Sequence, residues 1–496
     1  MPRRLLLALT AAACSSTACG PQALPRRPLR IALYDAPATL DPHLDSEFLT
    51  FAVASNVYEA LTRLDADLRV QPSLAERWEN PDDARWRFRL RRNVRFHDGR
   101  PLTSEDVVAS LERARRQPRL GWSSYLAAVT GVRALDPLTV EVTTENLQTL
   151  FLTKLAFIMI VPRDAPSEIT EPLGTGPYRI SWGPRHDRLL LHAFTGYWGR
   201  PPSEAEAEIS VGRPAAQAVA APAGERADIV EVLDPADAGP IEGSPGYRLV
   251  SRPGVTTDYL RLRVGSPPFS DRRVRVALHL ALDREALVRR LLHGQGRAAN
   301  QLVGPAVFGH DPSLPPALRD LPRARQLLAD AGFPGGLDVE IEFRRGRDVD
   351  EIVRQLAEAG IRARPRARPW NELMQRALAG QVALYYGGMM ASSGDSSEVL
   401  ESLLRSSGSL APDAGTAMGY SNRELDELIE TAARQPRMVD RRATLQRCMR
   451  LAMEDLPVVP LVLPDDVYAV REGVLWSPRP DGRVLAYDVG RSPPAP

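Results

Sequence analysis

Apolar and polar positions alternate in several short stretches, and each predicts a strand. Leu29-Arg-Ile-Ala-Leu-Tyr34 comes first. Trp86, Phe88 and Leu90 alternate with arginines, as a half-buried strand requires, and Val140 with Val142 marks another. Between them the apolar spacing turns helical over 48–61. Thr103, with Asp106 three residues on, gives a capping-box start to a helix running to Arg116. His97-Asp-Gly99 reads as a turn, and Gly174-Thr-Gly-Pro-Tyr178 breaks the chain before short strands at 179–181 and 189–192. The segment 200–250 is rich in Pro, Ala and Gly, and its periodicity is too weak to place elements.

From Asp271 the pattern changes to helices alternating with strands. Helices are predicted over 272–292, 322–331, 349–358 and 370–378, with strands at 337–343, 361–364 and 383–386. Gly332 sits where a helix C-cap belongs, and Pro334 follows it. Two more helices, 423–433 and 439–455, precede an apolar strand at 458–463. Such alternation predicts an α/β fold with a partly parallel sheet.

Composition narrows the function. At 496 residues the chain exceeds one core, and roughly 150 residues per domain suggests about three units. Lys+Arg is 63 against Asp+Glu 62; without a basic excess, nucleic acid is not an expected partner. Lys154 is the only lysine and lies in Phe151-Leu-Thr-Lys-Leu. A phosphate-loop lysine and a Ser-x-x-Lys nucleophile pair are therefore ruled out.

The first residues read as an export signal. Arg3 and Arg4 precede an apolar run from Leu5 to Ala13, followed by small residues. The run is shorter than the roughly 20 residues of a membrane span. Ser16-Thr-Ala-Cys19 looks like a lipobox, with Ala11-Ala-Ala-Cys14 as a second possibility. The expectation is a signal peptide over 1–18, lipidation at Cys19 and a tether over 19–27. Of the three cysteines only Cys448 would then remain besides the anchor, as a small core residue without a disulfide partner.

Catalytic signatures are scarce. The seven histidines form no His-x-x-x-His pair, and neither Cys-x-x-Cys nor Gly-x-Ser-x-Gly occurs. No catalytic residue, metal site or cofactor is assigned.

Several stretches, in order, resemble one family. Leu74-Ala-Glu-Arg-Trp-Glu-Asn80, Trp86-Arg-Phe-Arg-Leu-Arg91 and Val94-Arg-Phe-His-Asp-Gly-Arg-Pro-Leu-Thr-Ser-Glu-Asp-Val107 look like the signature of the family 5 solute-binding proteins of bacterial ABC importers. Gly174 to Tyr178, Phe269-Ser-Asp-Arg-Arg-Val-Arg-Val-Ala-Leu278 with Ala281-Leu-Asp-Arg284, and Ala324-Arg-Gln-Leu-Leu-Ala-Asp-Ala-Gly-Phe-Pro334 are similar to its later landmarks. Tyr420-Ser-Asn-Arg-Glu-Leu-Asp426 and Asp455-Leu-Pro457 complete the order.

The resemblance implies a bilobed periplasmic-binding-protein fold of type II with an inserted α/β domain and a two-crossing hinge. Lobe I would comprise 28–58, 170–262 and 462–496, the insert 59–169, and lobe II 263–461, with crossings near Leu262 and Leu461. It also implies where ligand is met: Asp45, Ser46, Glu47 and Phe48; Trp370 at a helix start; and Met389, Met390, Ser392 and Asp395 in the loop after a strand. Peptide-binding members carry Gly-Trp-x-Ala-Asp in that loop, whose aspartate pairs with the peptide ammonium. Here Met389 replaces the tryptophan and Ser392 the aspartate, with Asp395 as a substitute three residues later. Losing that carboxylate forfeits a charge-assisted bond of roughly 1.5–3 kcal/mol.

The function implied is that of a non-enzymatic extracytoplasmic receptor, expected to be a monomer. It would close on a peptide or other small polar solute and deliver it to an ABC permease. Peptides, opines, sugars and metal chelates all remain open as ligands. A sensor or assembly partner on the same fold is the alternative, and an exported hydrolase is a more distant one.

Overall fold

The structure is a computed structural model that describes residues 27–45, 47–117, 122–184, 186–232, 235–406 and 417–492. The expected signal segment, with Cys14 and Cys19, lies outside them. One ladder of twelve strands organises most of the chain. At its first end Leu29–Leu33 pairs in parallel with both Glu206–Val211 and Ile229–Glu231. Arg188–Ala193 and Tyr178–Trp182 extend that end antiparallel. At the other end Leu337–Arg344 pairs in parallel with Ile361–Arg368 and Leu384–Met390.

A single long strand, Val458–Arg471, joins the two ends. Its first half pairs with Thr256–Leu262 and Gly296–Ala298, its second with Tyr247–Pro253 and Ile229–Glu231. The strand Thr256–Leu262 also bonds Leu384–Met390 on its other side. Its pairing therefore groups it with the strands of the second end. Gly254 packs tightly on the second half of the long strand: a Cβ would lie 3.0 Å from the Pro464 carbonyl and 3.2 Å from both Asp466 carboxylate oxygens.

The insert is a four-stranded antiparallel sheet, in the order Ala75–Asp82, Arg85–Leu90, Thr139–Thr144 and Val129–Asp136. Ser104–Arg116 packs on it, capped reciprocally by Thr103 and Asp106 as the spacing predicted. Phe88, Val140, Val142 and Leu111 of the insert share one apolar core with Leu29, Ile31, Tyr178 and Ile209 of the first lobe. The second lobe has its own cores, one around Leu260, Leu278, Ile341 and Ile361, the other around Tyr259, Tyr385, Leu400 and Cys448. Shared apolar burial thus ties the insert to the first end of the ladder, while the second end has cores of its own.

Three expectations change. The helix from Phe48 ends at Ala54, not 61, because Ser55 Oγ bonds the Phe51 carbonyl and Asn56 Nδ2 those of Ala52 and Val53. The single helix expected over 272–292 is two, Arg272–Ala281 and Arg284–Leu291, since Asp283 leaves the helix to cap the second at the Ala286 amide. The unplaced 200–250 region contains Glu206–Val211, Ala215–Ala220, Ile229–Glu231, Ala238–Glu242 and Tyr247–Pro253.

A candidate ligand cleft between the lobes

Ligands of open α/β sheets bind outside the carboxyl ends of the parallel strands. In the first lobe those ends are Tyr34–Asp35 and Glu231; in the second they are Arg344, Arg368–Trp370 and Met390–Ser392. The two sets meet across the cleft, where Arg344 reaches to 4.0 Å from Asp35.

On the first wall, Asp45 braces the turn that leads into helix Phe48–Ala54. Its Oδ1 accepts the Glu47 amide at 3.0 Å and its Oδ2 the Thr50 hydroxyl at 3.0 Å, which fixes the start of Phe48–Ala54. Ser46 lies outside the described residues. Glu47 keeps one side to solvent, and partial desolvation of its carboxyl, with Asp45 beside it, pushes its pKa up. Phe48 lines a hollow with Leu33, Ile209, Gly482 and Glu231.

Glu231 is the chemically informative member of that hollow. Among the described residues its carboxylate meets only the Tyr34 amide, at a long 3.5 Å, and burial pushes its pKa up to about 8. It lies opposite Tyr468, so Asp466, two residues along the same strand, is its diagonal neighbour on one face. Burial, reinforced by Asp465 and Asp481, raises Asp466 to about 7, and its buried Oδ2 has no hydrogen-bond partner among the described residues. The floor of the cleft is acidic and undercompensated.

The opposite wall is basic. Arg347 donates to the Asp258 carboxylate and, at 2.8 Å, to the Tyr386 hydroxyl, and its guanidinium lies 4.9 Å from the centre of the Tyr386 ring. Tyr386 also donates to Asp258, at 2.9 Å. A Cβ on Gly388 would sit 2.5 Å from Asp258 Oδ1, so the strand must be bare there. Trp370 opens helix Trp370–Leu378 and is 37% exposed, large for an aromatic side chain. Met389 and Met390 pack partly on the lobe-two core, and Ser392 is partly exposed.

Asp395, expected to stand in for the missing aspartate, is engaged inside the second lobe. It caps helix Ser396–Leu404 through the Ser397 amide at 3.0 Å, and both its oxygens bind the fully buried Arg441, one at 2.9 Å. Its carboxylate is consumed inside the lobe and does not replace the missing aspartate of the loop. Glu231, Asp466, Arg344 and Arg347 went unnoticed in the sequence; the first stands in the unplaced region and the others in runs of like residues. Among the described residues no helix is long and apolar enough to cross a membrane.

A pair of α/β lobes joined by a two-crossing hinge, with a cleft between them, is the frame of a binding protein. The model for bacterial extracellular solute-binding proteins, family 5, matches residues 69–410, and the chain belongs to that family. Over 451 residues it is 28% identical to the glutathione-binding protein GsiB of Escherichia coli (strain K12), covering 86% of each. Its fold matches DppA from Helicobacter pylori in complex with peptide STSA, with a TM-score of 0.84, 21% identity and coverage of 93% and 98%. AgaA from A. tumefacien R10 in complex with agropinic acid gives 0.82, at 23% identity and coverage of 94% and 98%. NikZ from Campylobacter jejuni with Ni(L-His) gives 0.81, at 19% identity and coverage of 94% and 100%. The chain is an ABC-importer receptor that binds a small solute outside the cytoplasm.

Proposed function

We propose that this receptor closes on a small zwitterionic, peptide-like solute and makes no covalent change to it. Its amine end lies against the acidic floor of Glu231 and Asp466, with Asp35 and Glu47 beside them, and its carboxylate end against Arg344 and the free edge of Arg347. The observation that carries this reading is a pair of buried carboxyl groups without a counter-charge, Glu231 and Asp466, which hold protons in the ligand-free chain and ionise when an ammonium is brought against them. A buried carboxylate without a counter-charge is costly, and a ligand cation supplies one. Met389 and Met390 offer an adaptable wall for the middle of the ligand.

Lobe I (27–58, 170–253 and 465–492) carries the 59–169 insert, and lobe II is 256–463. Closure about 254–255 and Pro464 is favoured because the solute touches both walls only in the closed state. The receptor acts as a monomer, tethered by lipid at Cys19 or Cys14 at the outer face of the membrane, and hands its cargo to a permease.

Glutathione is the first probe, because it carries one ammonium and two carboxylates and because a 28% identical relative is named for binding it. Native mass spectrometry of the protein as isolated, followed by titration calorimetry with glutathione, tests the reading. A one-to-one complex weakened by Arg344→Ala and by Asp466→Asn supports it. Co-purification of an uncharged solute, or binding indifferent to both substitutions, overturns it.

A further inference from the structure

Beside the ligand loop the insert touches the second lobe, and further off its Thr149 donates its amide to the Ala433 carbonyl at 3.0 Å and its hydroxyl to that of Gln435 at 2.9 Å. Tyr125, in the turn Trp122–Leu126, donates its hydroxyl to Glu398 Oε1 at 3.0 Å. The other oxygen of Glu398 accepts the Ser393 amide at 2.8 Å and the Ser393 hydroxyl at 2.7 Å. Lys154, the single lysine of the chain, lies 3.8 Å from Glu401 one turn along the same helix, and 6.0 Å from the centre of the Tyr125 ring. Gly394 packs on Leu68 of the insert so closely that a Cβ would be 3.1 Å from Leu68 Cδ1.

Ser393 and Gly394 belong to the loop that carries Met389 to Ser392. Glu398 therefore holds that loop with one oxygen and the insert with the other. We infer that the Tyr125–Glu398 pair is a positioning latch that links the conformation of the ligand loop to the closed arrangement of the lobes. With the lobes apart, Tyr125 is parted from Glu398, whose carboxylate keeps only Ser393. With them together, the same carboxylate is satisfied from both bodies, and the loop is fixed in the shape that faces the solute. Hydrogen bonds to a charged acceptor are the stronger kind, and this one exists only across the gap. Ligand and latch then stabilise one state, so each raises the apparent affinity of the other. The inference rests on closure of the lobes but not on the identity of the solute.

The test uses the full chain without added ligand. Cysteines at Asp35 and Arg344, on opposite walls of the cleft, are trapped by a short bismaleimide whenever the lobes close, so the trapping rate follows the closed population even where that population is small. On this background Tyr125→Phe, which keeps the ring and its packing, and Glu398→Gln each slow trapping about tenfold, the loss expected of one charge-assisted bond. The double variant is no slower than either single one, because the two changes remove the same interaction. Lys154→Met slows trapping less. Trapping at the parental rate in both Tyr125→Phe and Glu398→Gln, or additive effects in the double variant, overturns the latch. No trapping in the parent overturns lobe closure itself, a distinct failure. The ligand reading stands or falls by calorimetry alone.

Discussion

Replacing Asp395 by asparagine separates support of the second lobe from contact with the solute. Asparagine retains an acceptor for the Ser397 amide but removes the counter-charge of Arg441, whose side chain is 0% exposed. Removing one partner of a buried ion pair costs about 3–5 kcal/mol. Arg441 lies on helix Met438–Asp455, which also carries Cys448, the only cysteine among the described residues, buried and with its thiol pushed up to about 12 by desolvation. A thiol reagent reaches Cys448 only when this part of the lobe opens, so the labelling rate reports the local opening free energy. With Cys14 and Cys19 changed to serine in both proteins, Cys448 is the single reporter. At 1.4 kcal/mol per decade, labelling accelerates by about two to three and a half orders of magnitude. The folded fraction binds its solute with the parental affinity. Unchanged labelling together with a fall in affinity refutes the reasoning and returns Asp395 to the ligand.

Three further outcomes follow from the cleft. Ser392→Asp restores a carboxylate to the ligand loop and tightens binding of a dipeptide with a free amine by about tenfold; calorimetry showing no gain means that Ser392 does not face the amine. Glu231 and Asp466, raised by burial to about 8 and about 7, hold protons in the folded chain that the unfolded chain has already released above the ordinary carboxylate range. Their contribution to the stability of the ligand-free protein is therefore full below pH about 4 and is lost as pH rises through 7 and 8. Thermal melts of Glu231→Gln and Asp466→Asn should show a weaker fall over that window than the parent, and an identical fall counts against the undercompensated floor. Gly254→Ala puts a methyl group 3.0 Å from the Pro464 carbonyl at the crossing; small-angle scattering at saturating solute should show a less compact molecule, and parental compaction refutes a hinge there.

Elements fixed by local chemistry were legible in the chain. Thr103 and Asp106 cap Ser104–Arg116 where their spacing says, and Pro369 with Trp370 begins Trp370–Leu378. Elements held by distant partners were not. Glu206–Val211 is a strand because Leu29–Leu33 lies beside it, and Ile229–Glu231 because it lies between that strand and Val458–Arg471. Little in the Ala- and Pro-rich sequence around them announces either. The site divides the same way. Asp45 to Phe48, Trp370, Met389, Met390 and Ser392 were expected through the family resemblance alone. Glu231 and Asp466 acquire their chemistry only when two strands far apart in sequence set them diagonally on one face. Asp395 misled because nothing in the sequence ties it to Arg441.

The strand Val458–Arg471 has a consequence for how the molecule is made. Both ends of the ladder are joined through it: Thr256–Leu262 and Gly296–Ala298 bond its first half, Tyr247–Pro253 and Ile229–Glu231 its second. During synthesis the earlier strands must wait, with unpaired edges, until this late segment emerges. Neither lobe can complete its sheet before then, and both can complete it together afterwards. A chain built in this order stays unfinished until its last segment is free, and it acquires its two walls and its cleft in one late docking step.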